Sequence, residues 1–244
     1  MSSIRANDAA TVWRRLVHGY TLMIGLCWAV TVLIVAIVTV STALAGDVTE
    51  SLWLNTGSTQ PRYFLVAIGV MLVTLHLPVY VAHGVTRRLF MLAGAGFALA
   101  ASAAFAAVTT IGFSLERAIF NWQGTLDRLS HPYPVNTLGD GLRVTLSLAL
   151  LGLVYLSAGG LIGSLYYRYG AWIGTLLIPA AAVPVFIAEA GTGQKYLGEW
   201  LVQEIGLTGL SYQVGLLVSL GSAAVVLAAI YNINRAVPLR PRKL

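Results

Sequence analysis

The chain has 244 residues, of which 57% are hydrophobic and only 10% charged. A soluble globular domain carries about 25% charged residues, so that class is excluded. The formal net charge is +6, and its distribution between apolar runs points to membrane topology rather than to nucleic acid.

The apolar residues fall into runs of about 18 or more, the length needed to cross a bilayer as a helix. The pattern predicts an all-α membrane protein with one transmembrane domain, residues 1–244, and no separate soluble domain. In residues 7–20, Val12, Trp13, Leu16, Val17 and Tyr20 recur at helical spacing, with Arg14, Arg15 and His18 on the other side. Asn7 or Asp8 supplies an N-cap. This reads as an amphipathic elbow helix in the headgroup plane, the alternative being the frayed start of the first span. The first span is expected at 21–45. Ala43-Leu44-Ala45 resembles a cleavage site, but the run is far longer than a signal core of about 7–15 residues, so it is read as uncleaved.

A polar segment, 46–62, holds Asp47, Glu50, Asn55, Gly57 and Pro61. The second span, 63–82, contains His76 and Pro78, and proline kinks a helix by removing a donor. The third span is 89–115. A longer polar segment with Trp122, Pro132 and Pro134 runs to residue 141. The fourth span, 142–166, turns through Tyr167-Arg168-Tyr169-Gly170 into the fifth, 172–190, where Pro179 and Pro184 predict a bend or break. Residues 191–211 carry Lys195, Glu199, Trp200 and Glu204 and read as a re-entrant or interfacial segment. The sixth span is 212–233.

Charge counting sets the orientation. With a cytoplasmic N-terminus, ten of the 15 Lys and Arg lie inside: Arg5, Arg14, Arg15, Arg87, Arg88, Arg168, Arg235, Arg240, Arg242 and Lys243. Eight of the nine acidic residues lie outside. Basic residues favour the cytoplasmic side, so six spans with both termini cytoplasmic are expected, in the inner cell membrane.

Small residues recur every four positions: Gly94, Ala98, Ser102 and Ala106 on the third span, Gly159 and Gly163 on the fourth, and Gly215, Ser219 and Ala223 on the sixth. This spacing lets helix backbones approach closely, within one chain or between two. No inverted repeat relates the two halves, since Pro78 does not match Pro179 or Pro184 in position.

Catalytic patterns are absent. The chain has no Gly-x-x-x-x-Gly-Lys-Ser/Thr loop, no His-Glu-x-x-His or Cys-x-x-Cys, and no Gly-x-Ser-x-Gly, so no nucleotide, metal or acyl-transfer site is expected. Cys27 is the single cysteine and forms no internal disulfide. His18, His76, His83 and His131 are scattered. Of the ionisable residues, only His76 is expected deep in a span, as a lining or relay group or as a side chain satisfied beside Pro78. Glu116 and Glu189, at outer span ends, are expected as an outer gate or as interfacial carboxylates in water. Trp53, Trp122, Trp172 and Trp200 are expected as interfacial anchors.

Between the second and third spans stands Gly84-Val85-Thr86-Arg87-Arg88-Leu89-Phe90, and the third span closes with Glu116, followed by Trp122. This resembles permease subunits of type-2 ATP-binding-cassette exporters, in which Gly-Val/Ile-Ser/Thr-Arg-Arg-x-Phe opens the third span and a glutamate ends it. The resemblance implies a half-transporter that pairs with a second permease chain, as homodimer or heterodimer, and docks a separate ATPase that binds the ATP. It assigns coupling to the loop with Gly84, Thr86, Arg87 and Arg88. Independently, Thr86 can cap the third helix, and two arginines at a helix start oppose the macrodipole unless carboxylates or lipid phosphates meet them. A scaffold or immunity protein without an ATPase is the alternative. A membrane-embedded enzyme is disfavoured by the scarcity of polar residues within the spans.

Overall fold

The computed structural model describes residues 9–45, 51–126, 133–192 and 211–235. The expectations for Arg5, Asn7, Asp8, Asp47, Glu50, His131, Pro132, Lys195, Glu199, Trp200, Glu204, Arg240, Arg242 and Lys243 lie outside them. The described residues are helical and contain no strand. Among the described residues there are eight α-helices: α1 (Ala9–Ala45), α2 (Gln60–Met71), α3 (Leu77–Ala82), α4 (Arg87–Gln123), α5 (Leu138–Tyr169), α6 (Ala171–Leu176), α7 (Ile178–Thr192) and α8 (Tyr212–Arg235). Wider π-helical turns, Trp53–Gly57 and Leu72–His76, precede α2 and α3. Together these form six helical rods long and apolar enough to cross a membrane.

Local chemistry explains the boundaries. The Thr86 hydroxyl accepts from the Leu89 N–H at 3.3 Å and caps α4 as expected. Gly124, at φ +65°, ends α4 in the left-handed conformation that glycine adopts without strain. Thr137 and Asp140 form a reciprocal capping box that starts α5 at Leu138, four residues before the expected start. The π turn Leu72–His76 lies directly ahead of Pro78, where a missing N–H frees a carbonyl and favours a widened turn. The fifth rod breaks at Leu177, just before Pro179, while Pro184 is carried inside α7.

Two expectations about helix ends change. Residues 9–20 continue into the first span as one helix, so no separate elbow is present among the described residues. Val12, Leu16 and Tyr20 are buried against the protein rather than in a headgroup layer. The segment before residue 63, expected as a polar connector, is already helical from Trp53, apart from a turn at Ser58 and Thr59.

α5 is the central shaft. In its most apolar stretch 72% of residues are buried, against 11% for α1 at the periphery. It packs on α2, α4, α7 and α8, and α1 lies mainly on α4. Glycines set this arrangement. A Cβ at Gly159 would overlap the Val66 carbonyl, one at Gly69 would overlap the Leu156 carbonyl, and one at Gly163 would come to 2.9 Å from the Val70 oxygen. α2 and α5 therefore touch backbone to backbone, as small residues permit in lipid. Gly191 and Gly215 bring α7 and α8 together in the same way. The small-residue stripes on α5 and α8 thus serve contacts inside one chain.

Candidate functional site

Charged side chains gather in two places. One is the arginine end, where α3 turns into α4 and where α5 and α8 finish. Gly84, at φ +86°, makes the turn, and His83, Gly84 and Thr86 are exposed while Val85 is buried. The last carbonyls of a helix lack intrahelical donors, and cations there complement the dipole. Arginines answer this for α8. Arg87 Nη1 donates to the Asn234 carbonyl at 3.2 Å. Arg168 Nη1 donates to the Ile233 carbonyl at 3.1 Å. The Asn234 side chain is buried and donates to Ser164 Oγ at 2.7 Å, which fastens α8 to α5. Arg87 is half-buried in this cap, whereas Arg88 is exposed and has no protein partner among the described residues.

The other place is the glutamate end and the layer beneath it. Glu116, near the end of α4, is buried. Its Oε2 accepts from Ser51 Oγ at 2.5 Å and Tyr133 Oη at 2.7 Å, and its Oε1 accepts from the Trp53 N–H at 3.0 Å. Three donors from two distant segments make this carboxylate a clamp on the chain before α2 and before α5. Burial and the adjacent carboxylate push the Tyr133 phenol well above its ordinary range. The Trp53 indole donates to the Thr109 carbonyl at 2.9 Å and fills the space left by Gly57 and Gly112, where any Cβ would overlap it. It stacks on Trp28 and is 6% exposed, so it is a core residue and not an interfacial anchor. Trp122 and Trp172, by contrast, are almost fully exposed, as expected of anchors.

Deeper still, Arg62 and Glu189 are each 1% exposed. Glu189 accepts a short hydrogen bond from the Tyr155 hydroxyl of α5. Arg62 donates through Nε to the Ser58 carbonyl at 2.7 Å and through Nη2 to Ser58 Oγ at 3.3 Å. Tyr63, the neighbour of Arg62 in the chain, meets Tyr155 edge to face. Arg62, Glu189 and Tyr155 thus form one polar cluster inside an apolar bundle. Unpaired burial of charge is prohibitive, and ionisable residues within a membrane mark functional or structural centres.

These findings correct the sequence reading twice. Glu116 and Glu189 are not interfacial carboxylates in water, because tyrosine and serine hydroxyls replace water around them. His76 is also not the most enclosed ionisable residue, since Arg62 and Glu189 are more buried in the protein. His76 is half-buried, with Nδ1 3.1 Å from Tyr20 Oη and 3.4 Å from the Met71 carbonyl. It is a satisfied neighbour of the Pro78 turn. Sequence reasoning missed Arg62, Ser51, Tyr133, Tyr155 and Asn234. Only Arg62 had a local signal, Pro61 at the start of a helix. Among the described residues no three His, Cys, Asp or Glu side chains come together as metal ligands.

The class defined by these observations is a helical, multi-pass membrane protein with a buried polar cluster and a separate arginine-capped end. Comparison of the chain with protein-family models, with curated proteins and with solved structures gives no match.

Proposed function

We propose that the chain is the membrane permease subunit of an ATP-driven exporter. In this reading its arginine end faces the cytoplasm, and it pairs with a second permease chain. The supporting observation is mechanical. In the turn between two long rods His83, Gly84 and Thr86 are exposed, and the next residue, Arg87, is hydrogen-bonded to the end of α8. α8 is in turn fastened to the central α5 through Asn234 and Ser164. A partner that displaces this turn therefore moves the last span and the shaft together. Arg88 presents a charge at the same surface for carboxylates on an ATPase. The excess of Lys and Arg at this end supports the cytoplasmic assignment.

The test is co-purification of the tagged protein from its native membrane, probed for an ATPase with a phosphate-binding loop. Arg88→Glu combined with His83→Glu reverses the exposed charge without disturbing the α8 cap. Loss of the ATPase, with helix content unchanged, is expected. A folded wild-type protein that captures no ATPase would overturn the proposal in favour of a scaffold.

A further inference from the structure

Beside the arginine end, α4 and α8 both pack on α5 but touch each other little. The gap between them is a cavity of about 360 Å³, within the size range of small-molecule sites. Small residues open it: Gly94, Ala95 and Ala98 on α4 and Gly160 on α5. Ser157 of α5 also lines it and is buried. Its rim carries Leu92 and Tyr231, 59% and 43% exposed on the lipid-facing side of the bundle. Arg88 also lines it and is the one charged lining residue among the described residues.

We infer that this cavity is a binding site for one anionic phospholipid, which enters sideways from the bilayer. The order of groups carries the assignment. Arg88 is exposed and unpartnered, and a guanidinium of that kind is a strong donor to phosphate. Beyond it the walls are apolar and suit acyl chains. The exposed rim opens toward lipid, so the occupant need not pass through water. The site shares Arg88 with the proposed ATPase contact, but its test uses the purified chain alone and reads lipid retention, so failure of one reading leaves the other standing.

The experiment is native mass spectrometry of the full chain in detergent, given equimolar dioleoyl phosphatidylglycerol and dioleoyl phosphatidylcholine. Phosphatidylglycerol should be retained about fivefold over phosphatidylcholine, the effect of one basic residue against an anionic headgroup. Arg88→Gln, an exposed change that leaves the fold intact, should bring the ratio close to one. Ala95→Phe should reduce retention of both lipids by filling the cavity. Equal retention by the wild type, or an unchanged ratio in Arg88→Gln, overturns the inference. So does displacement of the lipid by glycerol 3-phosphate, which would mean a site for the free headgroup. A non-lipid amphiphile that stays bound and excludes phosphatidylglycerol would also overturn it.

Discussion

At the arginine end, Arg87 and Arg168 lie against the last carbonyls of α8, and Arg88 stays in the open. At the glutamate end, Glu116 is buried under three donors, and deeper in the bundle Glu189 is buried against Tyr155. A capping arginine that keeps contact with water loses little when its partner moves, because solvent and lipid phosphates take over. A buried carboxylate has no such substitute, so each lost partner exposes the full cost of desolvation. The first region tolerates a change of partner at little cost. The second fixes the position of α4, α5 and the segments between the rods.

The strongest way to break this contrast is Glu116→Ala. It leaves Ser51 Oγ, the Trp53 N–H and Tyr133 Oη without their acceptor, and should cost roughly 3–5 kcal/mol, read as lost thermal stability of the detergent-solubilised protein. A loss below about 1 kcal/mol, the scale of a surface change, would mean that water reaches the cluster. Next in size is Gly159→Ala, whose new methyl meets the Val66 carbonyl. It should destabilise by about 1–3 kcal/mol, whereas Gly221→Ala in α8, with nothing within 4 Å, should be neutral or stabilise by up to about 1 kcal/mol.

A pH titration sharpens the comparison. The folded protein holds the Tyr133 proton above the ordinary tyrosine range, near 10. Above about pH 10 the unfolded chain releases that proton first, so the folded state binds more protons and stability falls as pH rises. Tyr133→Phe should flatten this alkaline slope. An unchanged slope in that variant would place its origin elsewhere. The smallest effect is expected at the arginine end, where Thr86→Ala removes a single exposed cap worth about 1 kcal/mol, measured by the same unfolding assay.

Much of the scaffold is legible in the chain. Six apolar runs announce six rods, Thr86 announces the start of α4, and Gly159, Gly163 and Gly215 mark close helix contacts. The Thr137–Asp140 capping box was equally readable, and it extends α5 into a segment that hydropathy alone assigns to a loop. The polar cluster was hidden for a different reason. Glu116 depends on Ser51 and Tyr133, and Glu189 on Tyr155, partners 65, 17 and 34 residues away. No local pattern joins them. Arg62 reads as the end of a polar connector because the helix that carries it begins at a π turn around Trp53, and that turn is held by Gly112 and Thr109 of α4.

What the sequence determined by itself is the number of rods, their caps and the sign of charge at each end. These follow from hydropathy, backbone donors and side-chain propensities that add up along the chain. Only the tertiary structure decided which charges leave the water. That choice rests on hydroxyl and amide partners from distant segments, and a buried charge is tolerable only once those partners have arrived together.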